Sequence, residues 1–134
     1  MARYLEDHEQ IALFQWRDLF SVHHPELRLM YHIPNGGSRD KREAAKLKRM
    51  GVKAGVSDIY LPVARGGKNG LYIELKAGRN RVTPEQQQFI EDVRQQGYAA
   101  EVCYGWEAAA RVILQYLRGH IVTREDIVCM GGDL

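Results

Sequence analysis

Residues 55–76 constrain this chain more than any other segment. They read Gly55-Val56-Ser57-Asp58-Ile59-Tyr60-Leu61-Pro62-Val63, then a glycine-rich segment from Arg65 to Gly70, then Leu71-Tyr72-Ile73-Glu74-Leu75-Lys76. Two apolar runs flank a segment too polar and glycine-rich to be other than a turn, closed by Asn69-Gly70. That is the pattern of a β-hairpin. Side chains alternate faces along a strand, so Glu74 and Lys76 share one face while Leu71, Ile73 and Leu75 share the other. An acid and a lysine inside apolar runs are costly unless they pair, bind a metal or do chemistry. The hairpin brings Asp58, on the partner strand, within reach of that same face. Asp58, Glu74 and Lys76 are therefore the first candidates for a site.

A chain of 134 residues supports one domain with a real core, and its 45% hydrophobic and 27% charged content is that of a globular protein. No apolar run is long enough to span a bilayer, and the N-terminus lacks the apolar segment of a signal peptide. Two cysteines, Cys103 and Cys129, make neither a disulfide framework nor a zinc cluster, so a reducing cytoplasm is the expected compartment and no membrane partner is expected. The net charge of +2 hides an uneven distribution. Residues 38–53 carry seven cations (Arg39, Lys41, Arg42, Lys46, Lys48, Arg49, Lys53) against two anions, a local +5. A concentrated positive segment suits a polyanion partner. A solvated helix face is the commoner explanation of such a run taken alone.

Helical spacing of Leu5, Ala12, Leu13, Trp16 and Phe20 predicts a helix over residues 4–20, with Glu9 on its apolar stripe and Glu6 and Asp7 to the side. His23-His24-Pro25 breaks it, and residues 27–33 read as a first strand ending in the turn Pro34-Asn35-Gly36-Gly37-Ser38. Asn35 and its glycines can approach a ligand closely, although a plain turn explains them equally well. Ser38 is expected to cap the basic helix, whose body runs from Arg42 to Met50 and stops at Gly51; with little apolar area, it belongs on the surface. Past the hairpin, residues 77–81 form a basic loop with Arg79 and Arg81. Thr83-Pro84-Glu85-Gln86 then opens a helix through a capping box, with Gln86 on the inward stripe of Phe89, Ile90 and Val93. Residues 98–104 read as a short strand and residues 106–117 as an amphipathic helix. The tail, 118–134, is apolar in places and has no assigned place except as an oligomer contact.

This order predicts an α/β (α+β) domain, one mixed sheet flanked by helices. Three carboxylates, Glu9, Asp58 and Glu74, and Lys76 sit on it. Hard divalent ions favour a few carboxylates together with water and phosphate oxygens. Such an ion lowers the pKa of bound water and stabilises a phosphoryl transition state, and a neighbouring lysine can orient the attacking water or offset phosphate charge. Nothing in the histidine and cysteine spacing suits zinc, and neither a nucleophile elbow nor a phosphate-cradling glycine loop is present. An acid-x-lysine triplet alone is common on exposed strands. Asp58, an inward Glu9 and the basic segments favour metal-dependent phosphodiester chemistry.

Gly55-Val56-Ser57-Asp58 followed by Glu74-Leu75-Lys76 resembles the PD-(D/E)xK nuclease signature. The Ile33-Pro34-Asn35-Gly36-Gly37 turn, the approach from Gly51 to Asp58, and Thr83-x-x-Gln86 with Phe89 resemble its VRR-NUC branch. The resemblance covers roughly residues 5–117 and implies a restriction-endonuclease-like core within a single nuclease domain, 1–134. It implies a Mg²⁺- or Mn²⁺-dependent DNA endonuclease selective for branched DNA such as Holliday junctions, acting as a homodimer in a bacterial or phage-infected cell. Asp58 and Glu74 match metal ligands, with the Leu75 backbone carbonyl a further ligand. Lys76 matches the catalytic lysine, Glu9 the acid of the first helix, and Gln86 a glutamine at the edge of the active site. The DNA-binding set is Asn35, Arg39, Lys41, Arg42, Lys46, Lys48, Arg49, Lys53, Arg79 and Arg81. Ser57 stands where the name-giving proline would be, at a position that shapes the bend and does not bind metal. The competing readings are a catalytically silent DNA-binding module and a flap-cutting or restriction-type nuclease with the same chemistry.

Overall fold

The computed structural model describes residues 2–34 and 40–128. Four strands form one mixed sheet in the order β1 (Tyr31–His32), β2 (Ile59–Leu61), β3 (Leu71–Lys76), β4 (Ala99–Tyr104). β2 pairs antiparallel with β1 and β3, so the hairpin forms as the sequence predicts, with Ile59 opposite Ile73 and Tyr60 opposite Tyr72. At its tip Gly66 and Gly67 both take positive φ (57° and 80°), and Arg65 and Lys68 exchange backbone hydrogen bonds across them. Two left-handed residues match the twist of the flanking strands, which is why glycine occupies both. β4 runs parallel to β3, which requires a crossover, and α3 (Pro84–Gln95) supplies it.

Period-two alternation sorts the sheet into two buried faces. Ile59, Leu61, Leu71, Ile73 and Leu75 join Leu13, Trp16 and Phe20 of α1 (Ala2–Phe20) and Ile113 and Leu114 of α4 (Trp106–Arg118) in the main core. Tyr72 faces the other way, against Phe89 of α3. Helices thus flank the sheet on both sides, and β3 is buried along almost its whole length.

Four local expectations need correction. Residues 27–33 are not one strand. Pro25–Leu29 is a 3₁₀ turn that buries Leu27, with Met30 buried just beyond it, and only two residues of strand follow. The three-residue separation of Leu27 and Met30 suits a 3₁₀ turn, whose side chains eclipse at i and i+3. Leu5 lies off the buried stripe at 47% exposure, so that stripe begins further along α1. Asp40, not Ser38, caps α2 (Lys41–Arg49), its carboxylate accepting from the Arg42 N–H at 2.8 Å; Ser38 lies outside the described residues. Finally, part of the tail is core. Val122 and Ile127 are buried, the second on a short helix α5 (Arg124–Val128) packed on α4, and Trp16 Nε1–H donates to the Ile127 carbonyl at 2.9 Å.

Removing that anchor tests its place in the core. Ile127→Ala is expected to cost about 2 to 5 kcal/mol in urea unfolding, the range for truncating a buried aliphatic side chain. An unchanged midpoint would return residues 122–128 to the surface.

Candidate active site

β2 and β3 part at Asp58, just before β2, and the Asp58 side chain fills the gap. Its Oδ2 accepts from the Leu75 backbone N–H at 2.8 Å, where a regular ladder would offer a carbonyl. The Asp58 carbonyl is held from the other side. The Ile33 N–H donates to it at 2.7 Å and His32 Nδ1 lies 2.8 Å away. A carbonyl only accepts, so that ring nitrogen carries the proton. Asp58 is therefore fixed through both its side chain and its main chain.

Glu74 lies one residue before Leu75 and is 1% exposed; Lys76 is 6% exposed. Lys76 Nζ stands 3.8 Å from Glu74 Oε2, a long contact for an ion pair, and Glu74 Oε1 is buried with no hydrogen-bond partner. Burial, then the hydrogen bond and charge of Asp58, push the Glu74 carboxyl up to about 9, against the opposing pull of Lys76. The sequence expectation that Glu74 and Lys76 share a face with Asp58 is met. Two adjoining acids, one with an orphaned oxygen, form a donor set suited to a hard cation, since carboxylate oxygens are the ligands such ions take. Among the described residues no group of three or more His, Cys, Asp and Glu side chains could hold a metal ion.

Glu9 does turn inward, but to a different partner. Its Oε1 accepts from the Trp106 N–H at 2.7 Å and so occupies the N-terminus of α4, where exposed N–H groups and the helix dipole favour an anion. The acid of α1 whose charge reaches Glu74 is Glu6, raising the Glu74 pKa further. Glu6 in turn accepts from the Asn80 side-chain amide, and Tyr104 Oη donates to the Asn80 carbonyl at 2.7 Å. Glu6, His32 and Asn80 escaped sequence reasoning. A helical stripe ranks residues by depth and cannot tell which acid meets the end of a particular strand. Gln86 is half-buried and closes the capping box, its Oε1 accepting from the Thr83 N–H at 2.9 Å.

The cationic residues lie outside this cluster. α2 has no buried residue, and Lys41, Arg42, Lys46, Lys48, Arg49 and Lys53 are all exposed, as are Arg79 and Arg81 in the loop that Asn80 ties down. Asn35 and Arg39 lie outside the described residues. Lys48 and Lys53 also line a groove of about 800 Å³ between α2 and Glu85 at the start of α3.

A buried acid-x-lysine pair on the inner strand of a hairpin, met by an acid from the partner strand on a helix-flanked mixed sheet, defines the PD-(D/E)xK nuclease class. Within it, the chain belongs to the VRR-NUC family, whose domain profile matches residues 6–107. A solved structure described as a VRR_NUC domain protein is similar, at 36% identity and a TM-score of 0.72, over 85% of this chain and 88% of that one. No curated protein matches. Membership places the chain in a family of nucleases that bind DNA.

Proposed function

We propose that this chain is a divalent-metal-dependent DNA endonuclease that hydrolyses phosphodiester bonds in branched DNA and acts as a homodimer in the cytoplasm of a bacterial or phage-infected cell. The observation that carries this reading is Glu74: a buried carboxyl with one orphaned oxygen, set beside a second acid, is a poor choice for stability and a good one for a cation. Asp58, Glu74 and the Leu75 carbonyl would hold Mg²⁺ or Mn²⁺, ions that take oxygen ligands. When bound, the ion supplies Lewis-acid stabilisation and a more acidic water. Lys76 places its ammonium beside the acids, where it offsets charge on the cleaved phosphate and orients the water.

Glu9 and Gln86 are positioning residues in this reading, holding the N-termini of α4 and α3. Asn35, Arg39, the cations of α2, Lys53, Arg79 and Arg81 neutralise phosphates on either side of the cut. The domain comprises residues 1–134, and the exposed Ile121 and Val128 offer the tail's contribution to a dimer contact. Two sites at fixed separation in a twofold dimer cut two strands symmetrically.

Purified protein with labelled junction, flap, duplex and single-stranded DNA, in Mg²⁺, Mn²⁺ or EDTA, tests the reading. Branched substrates are expected to be cut in metal and spared in EDTA. Absence of cleavage in both metals overturns the enzyme and leaves a silent binding module. Lys46→Glu with Arg49→Glu is expected to weaken binding and lower the slope of log affinity against log salt by about 2. An unchanged slope would remove α2 from the interface.

A further inference from the structure

The sheet face that carries the acids also carries a continuous aromatic layer. Tyr31 is opposite Tyr60, and Tyr60 opposite Tyr72, across three neighbouring strands. Tyr60 and Tyr72 stack with centroids 4.5 Å apart, and Tyr98 leans on Tyr72 at 5.5 Å. Phe89 meets Tyr72 edge to face at 5.2 Å. These inner rings are accounted for as packing beneath α3. Tyr31 is not. It sits on the edge strand β1 at 49% exposure, and among the described residues its ring meets Tyr60 edge to face at 6.0 Å and 84°.

Its position relative to the acids gives that exposed ring a use. Asp58 is two residues along from Tyr60, and Tyr31 lies opposite Tyr60 one strand over. From strand rise and spacing, Tyr31 is therefore about 8 Å diagonally from Asp58 along the same face. That is roughly twice the 3.4 Å rise per nucleotide of a duplex strand. A base within a duplex has both faces covered by its neighbours, so a ring beside the cut strand can stack only on a base that has left the helix.

Resting on the nuclease reading above, we propose that Tyr31 is a stacking platform for one unpaired nucleobase on the strand whose phosphate enters the Asp58–Glu74–Lys76 site. The substrate class is then DNA with an unpaired nucleotide beside the cleaved bond, which a single-stranded flap supplies and a perfect duplex does not. The tyrosine layer behind Tyr60 makes the platform rigid, which lowers the ordering cost of binding.

The test measures binding in EDTA, so it does not depend on cleavage. The substrates are a perfect duplex and the same duplex with a short single-stranded flap carrying 2-aminopurine at the junction. Tyr31→Leu is expected to weaken flap binding about 5- to 150-fold, the effect of losing one stacked base, and to leave duplex binding unchanged. Tyr31→Phe and Tyr31→Trp are expected to bind as the native protein does, and 2-aminopurine to be quenched by every variant that keeps a ring. Equal losses on both substrates, no loss on either, or quenching that persists in Tyr31→Leu would each overturn the proposal. So would a Tyr31→Leu protein that binds flaps normally but no longer self-associates in sedimentation, since the ring would then serve a second copy of the chain. Failure to cleave in metal sinks the nuclease reading alone, whereas insensitivity to Tyr31→Leu sinks only the base platform.

Discussion

Glu74→Gln is expected to abolish cleavage and, in EDTA above neutral pH, to stabilise the fold. If Glu74 holds the proposed ion, the catalytic loss should reach at least about 10²- to 10³-fold, because the amide keeps the shape and removes the charge that would face that ion. The stability effect follows from the Glu74 carboxyl, raised by burial and by Asp58 from 4.5 to about 9. Below about pH 4.5 the folded and unfolded chains both hold the proton. Between there and about 9 the unfolded chain releases it and the folded chain keeps it, so stability falls as pH rises and levels off above. Glutamine has no such proton and removes this slope. Even with an imperfectly bonded buried amide, the variant should be more stable than the native protein at pH 8. Urea unfolding between pH 5 and 9 checks this, and parallel curves for the two proteins would refute it. Added Mg²⁺ should stabilise the native chain and not the variant.

The second large effect belongs to Gly55, three residues before Asp58. It has φ +90°, and a Cβ built there would lie 2.4 Å from the backbone oxygen of Glu85. The approach to Asp58 is thus in backbone contact with the first turn of α3, the turn that Thr83 and Gln86 cap. Gly55→Ala combines a strained conformation with a clash against main chain, and is expected to cost about 2 to 5 kcal/mol. Asp58 must shift with the loop, so the turnover number should fall about 10²-fold even where the variant is fully folded. A variant as active and as stable as the native protein would show that the loop has room to move.

Much of this was readable from residues. The hairpin, the shared face of Glu74 and Lys76, and the capping box all rest on local periodicity or local hydrogen bonding, and all are present. Exposure of α2 was legible for the same reason, since a helix with almost no apolar area has nothing to bury. What escaped depends on partners distant in the chain. Glu9 faces inward as its stripe requires, yet its partner is the start of a helix almost a hundred residues later. Glu6 lies near Glu74 because α1 crosses the end of β3, which no pattern within α1 encodes. α5 is too short for a period to emerge, and its place is set by Trp16. Leu27, Leu29, Tyr31 and Ile33 alternate as a strand would, but the three-residue spacing of Leu27 and Met30 belongs to the 3₁₀ turn that starts at Pro25.

The bonds from Glu9 to Trp106 and from Trp16 to Ile127 span 97 and 111 residues of sequence. Both fasten the first helix to elements made last, and the parallel β3–β4 pair likewise waits for its crossover. Loops this large close slowly, so formation of the complete domain belongs late in the folding path. During synthesis, about 3 to 10 s separate the appearance of Lys76 from that of Ile127. Throughout that interval the acids and lysine exist as sequence, without the walls that make them a site.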